Sequence, residues 1–326
     1  MRRLWHLLLE GDKGCIIWWS EDVIDFSNPE LPLNAKGQAL APVLKSLQSP
    51  LARLFMIAER ERDPILIHYS QPSIQAAWLM ESTVDGKTWL RRFSSYEADH
   101  NRHAVVRNAW LKALQDLGFS PDFIAGEELA KGLAASQRIL ILPQSWAMSE
   151  TELASVKSFS KREHRVVIAD GPHGLLDEHG TLRANFDWPA KTSPESVRVT
   201  FGTNPGEQSF RETSATLSDY PVNRLKATLE SDPLETIRKL FADRGVRPPV
   251  TVPAEMRVRV HRFKVGDKAR LVAFERNVEY KMREELAQVG GNEQLEKPIA
   301  FVAKLAHPGH IVNLRTGERL GKHSEF

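Results

Sequence analysis

Short apolar runs alternate with amphipathic stretches through the middle of the chain. ILIHYS from residue 65, RILILP from 138 and VVIADG from 166 are too short for helices, and their branched aliphatic side chains suit strands buried on both faces. Between them, RHAVVRNAWLKALQDLG carries an apolar stripe at helical spacing and closes on Gly118, and PDFIAG reads as a further extended piece. Ser149 stands where a helix N-cap belongs, Glu152 follows at the capping-box spacing, and Leu153, Val156 and Phe159 fall on one helical face. Strands alternating with helices predict an α/β fold, a flavodoxin-like doubly wound parallel sheet with helices on both faces. Its domain is expected over residues 61–250, with the regular pattern within 61–215.

The flanks follow different rules. Residues 1–60 read as a helix, RRLWHLLLEG, then a strand, CIIWW, then a polar stretch with prolines, then one helical segment around APVLKSLQSPLARLFMIAER. That is a single α/β unit, too small to make a sheet alone. Residues 180–255 are polar, with a helix expected in NRLKATLESDPLETIRKLFADRG before the break at Pro248 and Pro249. Beyond it RVRVHRF and ARLVAFERN alternate charged and apolar positions, and IAFVAKL and HIVNLRTGERLG complete a set of short strands. A small antiparallel β-domain is expected over 251–326.

Charge and cysteine content narrow the setting. Lys and Arg number 44 against 42 Asp and Glu, a net charge of +2, which offers no electrostatic reason to favour nucleic acid or an anionic membrane as partner. The single cysteine, Cys15, excludes an intramolecular disulfide and a thiol-rich zinc site, and it fits a reducing compartment. Glu10, Asp12 and Lys13 cut the apolar run at Leu7–Leu9, so no signal peptide is read and a cytoplasmic location is expected. No stretch reaches the roughly 20 apolar residues of a membrane span. The glycines form neither a Walker loop nor a G-x-G-x-x-G after a strand, and no cofactor is expected.

Three stretches in chain order resemble the family-42 glycoside hydrolases and related β-galactosidase-like proteins. LWHLLLEGDKGCIIWWSED resembles the last helix and strand of a sugar-hydrolase TIM barrel. ILIHYSQPSIQAAWL, followed by RILILPQSWAMSETELASVKSF and VVIADGPHGLLDEHG, resembles the flavodoxin-like trimerisation domain of that family, itself similar to class I glutamine amidotransferases. The tail with VNLRTGERLG resembles the closing β-domain. The resemblance implies a remnant of the barrel's last β/α unit at 1–60 and an oligomerising chain, a homo-oligomer such as a trimer. It also implies carbohydrate metabolism as the setting and a β-galactoside or other carbohydrate as ligand. A retaining glycosidase needs two carboxyl groups about 5 Å apart across the glycosidic bond. The family supplies them from earlier barrel strands, and no residue here matches either motif. The expectation is a non-catalytic oligomerisation or accessory portion, with a free-standing α/β small-molecule or carbohydrate-binding module as the alternative.

Several residues invite chemistry, and each has a plainer reading. Trp18 and Trp19 can stack on a pyranose face, which the resemblance favours, or fill a core or interface; Trp19–Ser20 is also a candidate cis bond. Glu21 and Asp22 follow the predicted strand, but neighbours in an extended segment point to opposite faces, and a solvated loop is preferred. His68, Ser70 and Gln144 mark strand ends, the usual place of a ligand crevice. Loop anchoring is preferred there over a Ser–His hydrolase, whose orienting acid cannot be identified. An amidotransferase reading fails because Cys15 lies outside the domain. Asp170, His173, Asp177, Glu178 and His179 match no metal spacing and are read as a Gly-punctuated surface loop, so no metal site and no catalytic residue is assigned.

Overall fold

The computed structural model describes residues 2–14, 16, 20–82, 102–170, 173–184, 233–277 and 297–326. In chain order the helices are α1 (Arg2–Glu10), α2 (Ala35–Leu47), α3 (Pro50–Ile57), α4 (Gln71–Ser82), α5 (Arg102–Asp116), α6 (Gly126–Ala130), α7 (Glu150–Ser160) and α8 (Pro233–Asp243). The strands are β1 (Glu59–Arg60), β2 (Ile65–Tyr69), β3 (Asp122–Ala125), β4 (Ile139–Pro143), β5 (Val166–Asp170), β6 (Val250–Thr251), β7 (Val258–Val265), β8 (Ala269–Arg276), β9 (Lys304–Val312) and β10 (Arg319–Glu325). The chain is mixed α/β and divides into two compact units. Residues 62–258 and 276–304 form one; residues 1–61, 259–275 and 305–326 form the other.

The larger unit is built on a parallel sheet of four strands in the order β3-β2-β4-β5. Side chains alternate across it, and the two faces have separate cores. Ile65, Ile67, Ile139, Ile141, Val166 and Ile168 pack on Val106, Trp110 and Leu114 of α5 and on Ile237 and Phe241 of α8. Leu66, Leu140, Leu142 and Val167 pack on Leu153, Val156 and Phe159 of α7 and Leu129 of α6. Each such fully buried aliphatic contributes about 1.5–3 kcal/mol of transfer free energy, so both faces are needed to hold the strands. Helix α7 begins as its sequence predicts: Ser149 Oγ accepts from the Glu152 amide at 3.2 Å, and the Glu152 carboxylate takes the Ser149 amide at 2.6 Å. Helix α5 is followed by a turn closed at Gly118 with φ 87°, where Phe119 N–H reaches Leu114 O at 2.9 Å and Gly118 N–H reaches Gln115 O at 3.0 Å. A Cβ there would stand 2.8 Å from the Val250 carbonyl oxygen, so glycine is required twice over.

In the smaller unit β1 pairs antiparallel with β7, Glu59 opposite Lys264, and β7 and β8 are neighbours joined through Gly266. Leu8 and Leu9 of α1, Ala52 and Phe55 of α3, Phe263 and Leu271 form its core, with Phe55 edge-on to Phe263 at 5.2 Å between ring centroids. Strands β9 and β10 make a hairpin across residues 313–318.

Three expectations change. The segment APVLKSLQSPLARLFMIAER holds not one helix but the end of α2 and all of α3, because Ser49 caps a new helix and Pro50 occupies its first position. Of IAFVAKL only Lys304 and Leu305 are in a strand: β9 begins at Lys304 and runs on to Val312, taking in the start of HIVNLRTGERLG. Of CIIWW only Ile16 is described, outside any strand and 90% exposed. Cys15, Trp18, Trp19 and the Trp19–Ser20 bond lie outside the described residues, as does the first part of the helix expected before Pro248, of which α8 is the described portion.

Candidate functional site: the end of the parallel sheet

Strand β3 lies on one side of β2 and β4 on the other, so the chain reverses its direction of winding between β2 and β4. At such a point the helices diverge and a crevice opens beyond the carboxyl ends of the strands. His68 of β2 stands there, with Ser70 just past that strand and Gln144 and Ser145 just past β4; the sequence reading names the first three and not Ser145. The crevice is filled. His68 is 0% exposed, Ser70 1%, Gln144 4% and Ser145 0%.

Parity decides what each side chain meets. His68 shares the face of Leu66 and looks toward α7, where its Nε2 lies 3.2 Å from Glu152 Oε1, while its Nδ1 lies 3.0 Å from Ser145 Oγ. A carboxylate can only accept, so Nε2 carries the proton, and in the neutral ring Nδ1 then accepts the Ser145 hydroxyl. Burial raises the Glu152 carboxyl, but the hydrogen bonds from His68 and from the Ser149 amide outweigh it and hold the group below the ordinary carboxylate range. The order Ser–His–Glu is that of a nucleophilic relay. Its setting is not, because Ser145 has no accessible surface for a substrate to approach and the second carboxylate oxygen is committed to the α7 cap.

The remaining polar groups close the crevice from within. Ser70 Oγ donates to Ala147 O at 3.0 Å and accepts the Ser73 amide; Ser73 Oγ also donates to Ala147 O and accepts the Ala147 amide. Gln144 adopts φ 50°, donates its amide to Asp170 O at 2.7 Å and accepts Trp146 Nε1 on its side-chain oxygen at 2.7 Å. The segment 173–183 lies over the same loop: Gly174 donates to Ser145 O, Leu176 to Trp146 O, and Met148 to Leu176 O. Arg183 pairs with Glu150 and reaches Met148 O.

His103 of α5 completes the arrangement. Its Nε2 accepts the Ser70 amide at 3.4 Å, which places its proton on Nδ1, 3.2 Å from Gln144 O. A second proton would face the Ser70 N–H. Burial first, then the charge of Arg107 and the nearby His68, push this imidazole down to about 3. In the unfolded chain it takes its proton near pH 6.5, in the native protein only near 3. Its contribution to stability is therefore complete above pH 6.5 and is lost as pH falls through that window, at about 1.4 kcal/mol per unit. Urea denaturation at pH 7 and pH 5 is expected to show a loss of about 2 kcal/mol from this site. His103→Gln should remove that share; a variant with the full acid loss would refute the assignment.

The other predicted groups disperse. Asp170 is buried and accepts Trp110 Nε1 at 2.8 Å, whereas Asp177 accepts the amides of His179 and Thr181 and shapes its own exposed turn. Glu21 and Asp22 sit in an exposed 3-10 turn, Asp22 beside Lys36 at 2.9 Å. One convergence in the smaller unit has no counterpart in the sequence reading. His6 and Glu10, one turn apart on α1, meet His261 of β7, with candidate ligand atoms all within 4.8 Å. Arg259 donates to Glu10 Oε1 at 2.7 Å with the same nitrogen that lies 3.4 Å from His6 Nδ1, and Arg60 also pairs with Glu10. The Glu10 carboxylate of this group is thus already paired with two guanidinium groups.

No protein-family model and no curated protein matches this chain. Among solved structures it is similar to a catalytic mutant of Gan42B, a GH42 β-galactosidase from G. stearothermophilus, at 12% identity and a TM-score of 0.49, covering 90% of this chain and 42% of that one. It is similar to a GH42 exo-carrageenase from Bacteroides ovatus at 12% identity and a TM-score of 0.44, covering 89% and 31%. A β-galactosidase from Marinomonas ef1 is similar at 14% identity and a TM-score of 0.37, covering 72% and 38%. The chain spans less than half the length of each of these. No helix among the described residues is long and apolar enough to cross a membrane.

Proposed function

We propose that this chain is a non-catalytic oligomerisation or accessory portion of a β-galactosidase-like glycoside hydrolase, with a flavodoxin-like scaffold at residues 61–250. Residues 1–60 are read as a remnant of a barrel's last β/α unit and 251–326 as the closing β-domain. One observation carries the non-catalytic part: the crevice where an α/β sheet of this winding would receive a ligand is filled by the protein's own hydrogen-bonded side chains. The link to glycoside hydrolases is supported by the three sequence stretches that resemble that family.

The test is hydrolysis of an aryl β-galactoside by the purified chain, with its mass in solution measured by light scattering and galactose binding by calorimetry. The expected result is a homo-oligomer with no turnover. Turnover by the chain alone would overturn the reading. A monomer that binds galactose would replace it with the free-standing carbohydrate-binding module.

A further inference from the structure

At the amino-terminal end of the same strands, opposite the crevice, three guanidinium groups gather without an acid to balance them. Arg138 immediately precedes β4 and Arg165 immediately precedes β5, and the main chains are tied there by Val166 N–H to Arg138 O at 2.9 Å. Arg162 enters from the turn after α7, its carbonyl accepting the Arg165 amide at 3.3 Å. Arg138 and Arg165 both donate to Ala135 O, and Arg162 donates to Leu133 O at 3.3 Å. These acceptors are neutral, so they orient the cations and leave their charge uncompensated. None of the three arginines makes an ion pair among the described residues, including with exposed Glu163 in the same turn.

Arg165 gives the cluster its direction. It is 6% exposed although it lies near the periphery, its guanidinium rests 5.6 Å from the Phe159 ring centroid, and its Nε and one Nη have no partner. Desolvation, then the charges of Arg138 and Arg162, lower its proton affinity. An isolated surface arginine keeps its donors in water; one withdrawn from water with donors unmet, beside two more cations, is the floor of an anion site. We propose that Arg138, Arg162 and Arg165 bind a tetrahedral oxyanion, phosphate or sulfate, free or carried on a small molecule. The half-buried Arg138 and exposed Arg162 supply the outward donors, whose planar forks match two oxygens of such an anion.

Calorimetric titration and thermal melts of the full chain in sodium phosphate, sodium sulfate and sodium chloride at equal ionic strength test this. Phosphate and sulfate are expected to bind saturably and raise Tm, and chloride to do neither. Because Arg138 and Arg162 are not fully buried, the double variant Arg138→Gln/Arg162→Gln is expected to fold. Its melting point in chloride should be at or above the wild-type value, because like-charge repulsion is relieved, and its phosphate affinity should fall at least about tenfold. A hexose phosphate that binds more tightly than phosphate, with the hexose itself silent, would identify a phosphorylated small molecule as the ligand; equal affinities would identify the free anion. An equal response to chloride, or a double variant that responds to phosphate like the wild type, would overturn the proposal.

Discussion

Replacing Asp116 with alanine is expected to destabilise the larger unit by about 3–5 kcal/mol, the range for removing one partner of a buried ion pair. The carboxylate closes α5 and is itself fully buried. One oxygen lies 2.6 Å from Arg257 Nε; the other accepts from Asn277 Nδ2 at 2.6 Å and Lys112 Nζ at 3.3 Å. Asn277 binds back in turn, its amide to Arg257 O at 2.7 Å and its side chain to Lys112 O at 3.3 Å. Arg257 and Lys112 are both buried, so the variant would leave two cations in an apolar setting around an empty space. Arg257 also holds φ 51°, a left-handed conformation that a bulky side chain keeps only when its surroundings fix it. Asp116→Asn retains the shape and one acceptor, and should lose less. Urea denaturation of both variants decides it. A loss below about 1 kcal/mol for alanine, with the denaturant slope unchanged, would mean that the cations relax to water and that the carboxylate is not the centre of this network.

That network also shows where sequence patterning stops being informative. Strands β2, β4 and β5 were legible because branched aliphatics in short runs have few other uses, and α7 because Ser149 and Glu152 stand at a spacing that local geometry rewards. The positions of His68, Ser70 and Gln144 at strand ends followed from the same reading. What those residues touch did not. His68 and Glu152 are 84 positions apart, and only the pairing of β2 with β4 and the docking of α7 on one face bring them together. The parity of His68 with Leu66 was available as a signal for the facing helix, but the residue it would meet on that helix depends on register. Asn277 and Asp116 are 161 positions apart, and the chain between them includes a segment whose polar composition gives no periodicity. The joining of residues 1–61 with 259–275 and 305–326 in one compact unit has the same character. The apolar face of α1 announces that it must be covered, and nothing local says by what.

Glu152→Ala is expected to cost about 2–4 kcal/mol, and to loosen the closed crevice along with it. Two separable losses make up the figure. The capping box at the start of α7 loses its return bond to the Ser149 amide, an effect of about 1 kcal/mol. The fully buried Nε2 of His68 loses its acceptor, which leaves a desolvated donor at about 1–3 kcal/mol. Glu152 also packs against Gly126, where a Cβ would stand 2.6 Å from its Oε1, so position 126 has no room for a side chain. Glutamine separates the two contributions, because its carbonyl can accept either bond but not both; Glu152→Gln should lose roughly 1–2 kcal/mol. The hydrogen bonds that lower the Glu152 pKa also give the wild type an acid-sensitive share of stability. That share is present above the unfolded carboxyl pKa and lost as pH falls through the lower native value, and neither variant should show it. The structural consequence is local. With His68 no longer held on Nε2, its contact with Ser145 is released, and Ser145 lies in the loop that Ser70 and Ser73 pin through Ala147. Amides of residues 144–149 should exchange with deuterium faster in the alanine variant than global destabilisation alone predicts, while those of β5 follow the global change. If Glu152→Ala were as stable as the wild type, or if its 144–149 amides exchanged only in step with β5, the carboxylate would be a helix cap alone and the crevice would owe its closure to the serine contacts.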